Sequence, residues 1–138
     1  MSADGFSAVR TLYDLKTAGD GRAFLKKLYH RPPWYAPILG GPIKDILHRP
    51  VVRNFLKQTS PTDTLTIEQV QSLQPPTMLL WGTSERILPE ECLAWYQANM
   101  PSNVTILRPE GYGHSPHLEV PDDLSQRIIG FARQALPA

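Results

Sequence analysis

Two ionisable side chains, each placed just after an apolar run, are the residues of this sequence best suited to chemistry. Glu85 follows the apolar segment 77–82, and His114 follows the apolar segment 104–107. Each run is short and bounded by turn residues, which predicts a buried strand. A carboxylate can hold an imidazole in one tautomer and stabilise its protonated form, so that the imidazole can take a proton from a nucleophile. The placement makes Glu85 and His114 candidates for such a pair, although a loop histidine taken alone is more often bonded to backbone.

The segments around these residues predict how the two side chains come together. Residues 90–98 begin with acidic side chains and carry apolar bulk, which predicts a helix between the strands. Two strands joined through a helix form a parallel βαβ unit, and sites in open α/β sheets lie at the carboxyl ends of the strands. A last helix is predicted to start at Pro121. Its expected buried stripe consists of Leu124, Ile128, Ile129, Phe131 and Ala132.

The N-terminal half predicts short helices interrupted by prolines, with no strand. Proline disfavours helix in the residue before it and is common in the first helical turn. The glycine-rich segment 18–21 is expected to end the first helix, and Asp20 is a candidate cap for the next. The predicted helices cover 6–16, 22–30, 42–48 and 50–57, with short helical pieces at 60–61 and 64–73.

Two motifs in the C-terminal half resemble the C-terminal signature of α/β-hydrolase fold enzymes. The motifs are Gly82-x-x-Glu85-x-x-x-Pro89 and Gly111-x-Gly113-His114-x-Pro116-x-x-Glu119-x-Pro121. An acid that precedes a histidine is the second half of the serine, acid, histidine order of that family. The family usually has Asp where this chain has Glu85, and glutamate is an accepted alternative. The resemblance implies an α/β fold class, specifically a partial α/β-hydrolase fold.

The resemblance also implies a division into two regions. Residues 1–74 would form a helical cap, or lid, similar to the lids of monoacylglycerol-lipase-like members. Residues 75–138 would form a βαβα part of the core with two parallel strands. Trp34 and Tyr35 could line an acyl pocket, although buried packing is the commoner fate of aromatic side chains. Glu119 is expected to brace the histidine loop.

The implied function is that of the C-terminal portion of a hydrolase acting on a small-molecule ester or lipid-like substrate. His114 would be the general base and Glu85 its orienter. The family's nucleophile elbow needs Gly-x-Ser-x-Gly, and no such pentapeptide occurs here. The segment that begins Gly5-Phe6-Ser7 comes nearest but lacks the second glycine. The chain alone is therefore expected to be inactive until an N-terminal half supplies the nucleophile.

Other interpretations of the same residues stay open at this point. His114 could be a loop histidine bonded to backbone, and Glu85 could be a solvated carboxylate beside Arg86. The whole chain could also be a non-catalytic binding or regulatory module that docks onto a hydrolase core. Unpaired strand edges would allow it to self-associate.

Composition narrows the partners and cofactors that we expect. The 138 residues carry a net charge of +1, which gives no electrostatic case for binding nucleic acid or an anionic membrane. No apolar run approaches the ~20 residues of a membrane span, and no signal peptide is evident, so a cytoplasmic location is the default. Cys92 is the only cysteine, and His114 with His117 offers two ligands where zinc needs three or four. We expect neither a metal nor a cofactor.

Overall fold

The computed structural model of the protein describes residues 3–135. Helices make up the N-terminal half, and two strands alternate with helices in the C-terminal half. The first half contains α1 (Ala3–Leu12), α2 (Ala18–Leu28), α3 (Gly40–Leu47), α4 (Pro50–Gln58) and α5 (Ile67–Gln71), with 3-10 turns at Ala36–Leu39 and Pro61–Asp63. The second half contains β1 (Thr77–Leu80), α6 (Glu90–Asn99), β2 (Val104–Leu107), α7 (Pro116–Glu119) and α8 (Pro121–Ala135).

The two strands lie side by side and run parallel, as the predicted βαβ unit requires. Thr77 is opposite Val104, and Leu80 is opposite Leu107, so the strands end level with each other. The N–H of Trp81 still donates to the carbonyl of Leu107 at 2.9 Å, which extends the pairing one residue beyond β1. The predicted α/β class with two parallel strands is confirmed. The loops that follow the two strands therefore leave the sheet at the same end, where both strands finish.

Two apolar clusters hold these elements together. Trp81, Cys92 and Leu93 are buried between the end of β1 and α6, and the side chain of Leu93 is fully enclosed. A second cluster is formed by Leu15, Phe24 and Ile87. Because Phe24 belongs to α2 while Ile87 follows Glu85, this cluster packs the predicted acid loop against the N-terminal helices. Burying one such side chain stabilises a fold by roughly 1.5–3 kcal/mol.

The start of α2 differs from the prediction. Residues 18–21 were expected to end the first helix, but they form the first turn of α2. Thr17 caps this helix, because its side chain accepts the N–H of Asp20 at 3.1 Å while the Asp20 carboxylate accepts the N–H of Thr17 at 2.7 Å. This reciprocal capping box satisfies two backbone donors that would otherwise lack partners. Asp20 therefore acts from inside the helix, three residues after the cap.

One of the two glycines that suggested a break, Gly21, has a packing role instead. A Cβ on Gly21 would overlap the backbone carbonyl of Gly40, at the start of α3. Glycine at this position lets the two helices approach until their backbones nearly touch, at a modest cost in helix propensity. α1 also ends at Leu12, four residues before the predicted end at 16.

The last helix departs from its predicted burial. No side chain of α8 is buried, and Ile128 and Ile129 are 48% and 49% exposed. The stripe that was predicted to be buried is therefore only partly covered, because the described residues place no second layer over it. The helix itself begins at Pro121 as predicted. No helix among residues 3–135 combines the length and the apolar character needed to cross a membrane.

Candidate active site

Glu85 and His114 meet at the edge where the two parallel strands end. The Nδ1 atom of His114 lies 2.7 Å from Oε2 of Glu85, which is the length of a strong hydrogen bond to a charged acceptor. The Glu85 side chain is 10% exposed and that of His114 is 31% exposed. The carboxylate is thus sheltered from water, while the imidazole keeps one side open.

The second oxygen of Glu85 is bound by its own loop. Oε1 accepts the backbone N–H groups of Ile87 at 2.6 Å and Leu88 at 3.0 Å. These two bonds fix the plane of the carboxylate and leave Oε2 for the imidazole.

The electrostatics of this pair favour the ionised carboxylate. Burial acts to raise the pKa of Glu85, but the hydrogen bonds from His114, Leu88 and Ile87 outweigh it and leave the pKa below its ordinary value. Burial raises the pKa of nearby Tyr13, and the negative charge of Glu85 raises it further. At neutral pH the site therefore contains a carboxylate beside a neutral phenol. A negative charge at this place stabilises an imidazole that gains a proton.

The histidine loop is anchored on the side facing α8. Tyr112 is buried, and its hydroxyl donates to Oδ2 of Asp123 at 2.6 Å. The Nε–H of Arg127 donates to the same carboxylate oxygen at 2.9 Å. The hydrogen bonds from Tyr112 and Arg127 lower the pKa of Asp123. These contacts hold the backbone that leads into His114 against the start of α8.

The acid loop and the histidine loop also bond directly to each other. The N–H of Thr83 donates to the carbonyl of Pro109 at 3.1 Å, and the N–H of Ser84 donates to the carbonyl of Tyr112 at 3.0 Å. The backbone hydrogen bonding between the two strands thus extends into the loops that follow them, as two separate hydrogen bonds. Its effect is to bring Glu85 and His114 to the same place.

His30 and Ser84 are site residues that the sequence analysis did not single out. Nδ1 of His30 lies 2.6 Å from Oγ of Ser84. His30 is the second residue after the end of α2 at Leu28, so its side chain connects the end of this helix to the acid loop. Glu119, predicted to brace the histidine loop, accepts the backbone N–H of His30 at 2.9 Å. The only available signal for His30 is a polar ring at the end of an apolar helical face, directly before Arg-Pro-Pro.

The two aromatic candidates for substrate contact lie apart from the pair. Trp34 is 87% exposed and Tyr35 is 45% exposed, with their rings in edge contact at 5.7 Å. Tyr35 lines a cavity of about 940 Å³ together with residues of the histidine loop, and neither Glu85 nor His114 lines that cavity. The structure therefore does not bring Trp34 and Tyr35 together with His114 around one pocket.

The serines near the pair are engaged in the fold. Ser84 bonds His30, and Ser115 is 8% exposed at the start of α7. His117 is exposed, and no cluster of side chains suited to a metal ion occurs in the described part of the chain. Glu85 holds Nδ1 of His114, which leaves Nε2 as the ring atom that can accept a proton. The chemistry available here is therefore proton transfer to and from a group facing that nitrogen.

Comparison with known proteins supports this fold. No family model matches the chain, and no curated protein matches it. The solved meta-cleavage product hydrolase of Pseudomonas fluorescens IP01 matches with a TM-score of 0.72 at 13% identity, over 97% of this chain and 51% of that one. The 2-hydroxy-6-oxo-6-phenylhexa-2,4-dienoate hydrolase of Rhodococcus sp. strain RHA1 matches with a TM-score of 0.72 at 13% identity, over 96% and 50%.

A membrane phospholipase A, described as a bacterial virulence factor, also matches. Its TM-score is 0.71 at 18% identity, over 100% of this chain and 46% of that chain. These enzymes share the α/β-hydrolase fold. The chain spans about half the length of the solved structures that it matches. Over that half, this protein has the α/β-hydrolase fold.

Proposed function

We propose that this chain is the part of an α/β-fold hydrolase that carries the acid and the histidine of a catalytic triad. In this proposal His114 is the general base and Glu85 orients it. The observation that supports it most is the 2.7 Å contact between Nδ1 of His114 and the sheltered Glu85 carboxylate. The solved structures with this fold are hydrolases, including a phospholipase, which favours carboxylic ester or lipid-like substrates.

The proposed chemistry follows from the orientation of the ring. The Nδ1–H of His114 donates a hydrogen bond to the Glu85 carboxylate, so Nε2 has a free lone pair that can take a proton from a hydroxyl nucleophile. The imidazolium that forms is stabilised by the adjacent carboxylate. It then returns the proton to the leaving alcohol. The nucleophile would come from a segment outside these 138 residues, because the sequence contains no Gly-x-Ser-x-Gly.

The uncovered surfaces of the chain support completion by such a segment. β1 pairs with β2 along one edge only within the described two-stranded sheet, and parallel sheets are normally covered on both faces. Ile128 and Ile129 of α8 remain half exposed. A core half that supplies further strands would pair the free edge of β1 and cover these side chains.

The test joins this chain to the N-terminal half of a related hydrolase that carries Gly-x-Ser-x-Gly, and measures turnover of a short-chain nitrophenyl ester. His114→Ala should lower kcat on the order of 10³-fold or more, because the base activates the nucleophile. Glu85→Gln should cost less but clearly lower kcat, and Glu85→Asp should keep much of the activity. Removing both side chains should cost about as much as removing His114 alone, since the two act as a unit.

A matched control separates a specific loss from general damage. His117 lies three residues from His114 and is exposed, so His117→Ala should leave kcat unchanged. Unchanged kcat in a folded His114→Ala chimera would contradict the proposal and favour a non-catalytic docking module. Turnover by the chain alone that is lost in Ser84→Ala would place the nucleophile within this chain.

A further inference from the structure

We propose that His30 and Glu119 are positioning residues that tie the end of α2 to both catalytic loops and so set the Glu85–His114 hydrogen bond. The inference rests on the proposed function for its catalytic meaning, whereas the contacts that carry it are independent of any substrate. It makes the end of α2 part of the frame of the active site. A lid that opened there would have to break these contacts.

The histidine loop is attached to the last residue of α2. The carbonyl of Leu28 accepts the backbone N–H groups of His114 at 2.9 Å and Ser115 at 3.3 Å. The last carbonyls of a helix have no partner within the helix and must find one elsewhere. Here the partners are the N–H group of the proposed base itself and that of the next residue. The position of the His114 backbone therefore follows the position of the helix end.

Glu119 strengthens the same attachment from the other side of the loop. Its Oε2 accepts the N–H of His30 at 2.9 Å, and its Oε1 accepts the N–H of Arg31 at 2.9 Å. A carboxylate can accept at both oxygens, whereas the amide of glutamine would present N–H donors to one of these backbone donors. The charge of Glu119 is therefore required for both bonds at once.

The acid loop is attached to the same helix end through side chains. Nδ1 of His30 bonds Oγ of Ser84 at 2.6 Å, one residue before Glu85. Nη1 of Arg86, one residue after Glu85, donates to the carbonyl of Lys26 at 3.3 Å in the last turn of α2. Both neighbours of the proposed acid are thus bonded to residues within the short segment 26–30, Ser84 to a side chain and Arg86 to a backbone carbonyl.

The fit between helix end and histidine loop leaves no spare room. A Cβ on Gly113 would come within 2.6 Å of the His30 nitrogen, 2.7 Å of Oε2 of Glu119 and 2.7 Å of the Leu28 oxygen. Backbones packed this closely move together. Since the Glu85 carboxylate is fixed by its own loop, the Glu85–His114 distance depends on the placement of the histidine loop, to which the end of α2 contributes the bonds at His114 and Ser115 themselves. Displacements near 1 Å in such supports cost enzymes activity on the order of 10²-fold.

The test uses the full chain without substrate. In protein with ¹⁵N-labelled histidine rings, we would measure the Nδ1 proton signal of His114 and the pKa of the Glu85 carboxyl by NMR. His30→Leu and Glu119→Gln should weaken the Nδ1 proton signal through faster exchange, and should raise the Glu85 pKa toward its ordinary value. His30→Asn should preserve both, because its amide can replace Nδ1 as the partner of Ser84. A residue that only stabilised the fold would lower the free energy of unfolding without changing the Glu85 pKa or the His114 signal in the folded protein.

A second measurement follows the backbone itself. Hydrogen exchange at low micromolar concentration should become about tenfold faster at the amides of His114 and Ser115 in Glu119→Gln, since a bond to a charged group is lost. Glu110→Gln serves as the matched control, because Glu110 is an exposed carboxylate on the same loop. It should change neither the exchange nor the NMR signals.

Several outcomes would overturn the proposal. They are a wild-type chain without a protected Nδ1 proton, variants that leave the His114 signal and the Glu85 pKa unchanged, and a Glu110→Gln effect equal to that of Glu119→Gln. If His30→Leu unfolds the chain, the same NMR measurements are made on Ser84→Ala, which removes the same hydrogen bond by changing its other partner. A chain that responds as expected in NMR but yields no turnover with a core half would contradict the proposed function alone.

Discussion

At the scale of single residues, Glu85 is held by its own loop as firmly as by His114. One oxygen takes two backbone N–H groups and the other faces the imidazole. The bonds to residues two and three positions ahead resemble those of an aspartate in a local turn. For this reason we expect Glu85→Asp to keep the loop conformation, although it moves the carboxylate by one carbon–carbon bond.

The lowered pKa of Glu85 predicts a pH dependence of stability. The ionised carboxylate is preferred in the folded state, so its contribution is present above the ordinary value of 4.5 and is lost as the pH falls through the lower folded value. Near pH 7, Glu85→Gln should therefore reduce the free energy of unfolding by about 2 kcal/mol, the scale of hydrogen bonds to a charged group. The difference between the two proteins should shrink below pH 4.5.

Denaturant unfolding of the wild type and Glu85→Gln at a series of pH values measures this difference. Glu110→Gln, which changes an exposed carboxylate, should lower stability little at any pH. An equal loss of stability in Glu85→Gln at pH 7 and at pH 3 would show that the ionised form has no preference for the folded state. The same result would argue against an ionised orienter at neutral pH.

Residue types and spacing predicted Glu85 and His114, and the structure brings these two together. Their roles as acid and base stay predictions. The sequence could not predict His30, because nothing near it in the chain marks a residue whose partners Ser84 and Glu119 lie 54 and 89 positions away. Contacts over such separations depend on the path of the whole chain. Trp34 was a candidate for substrate contact on its aromatic character alone, and it lies exposed.

At the scale of elements, α2 connects the helical half to the sheet. It packs against α3 through Gly21, contributes Phe24 to the core beneath the acid loop, and ends at the loops that carry Glu85 and His114. The boundary predicted at residue 74 follows from the resemblance to hydrolases with a lid. The contacts of α2 cross that boundary, so the separation of a lid from a core stays a prediction.

Loss of the capping box of α2 should loosen both the helix and the histidine loop. Thr17→Ala removes the side-chain acceptor for the N–H of Asp20 and should destabilise the helix by about 1 kcal/mol. Hydrogen exchange along Ala18–Leu28 should rise accordingly. Because the end of α2 carries the loop contacts, exchange at His114 should rise as well.

Thr66→Ala is the matched change, since Thr66 caps α5 with the same capping box. It should leave exchange in α2 and at His114 unaltered. If Thr17→Ala raises exchange in α2 without any effect at His114, the helix end does not control the histidine loop.

Elements with a strong local signal were predicted well, and those fixed by packing were not. The strand at 104–107 and the starts of α4, α6 and α8 agree with the structure, because prolines and apolar runs mark them locally. The start of α2 was wrong because two glycines indicated a break. Gly21 instead allows the close approach of Gly40, which lies in another helix. The burial of α8 was wrong because it depends on what covers the helix.

At the scale of the whole molecule, the described residues leave apolar surface without cover. β1 has a partner on one side only, and α8 exposes about half of Ile128 and of Ile129. Surfaces of this kind associate with a partner or with each other. This uncovered apolar surface supports the proposed core half. It also predicts that the chain associates with itself when that half is absent.

The isolated chain should therefore self-associate. Light scattering during size-exclusion chromatography should give an average mass above 15.5 kDa that rises with concentration. Ile128→Lys with Ile129→Lys should lower that mass by charging the uncovered face of α8. Gln126→Lys, which adds charge at an exposed polar position of the same helix, should have a smaller effect.

A monodisperse monomer with one sharp, cooperative melting transition would count against this view of the surface. Such a result would mean that the two-stranded sheet and α8 are stable without further cover. An unchanged mass in the double lysine variant would place the association at the edge of β1 instead.

The bonds from Glu119 to His30 and Arg31 have a consequence for the order in which the chain folds. They join residues 89 and 88 positions apart, so they close a loop that spans well over half of the 138 residues. Closing so long a loop costs conformational entropy before the new contacts stabilise the chain. Contacts of this kind therefore form late and slowly. A nascent or partly unfolded chain would thus possess Glu85 and His114 without the contacts that hold their two loops together. Under the proposed function, the acid and the base would be assembled only late in folding.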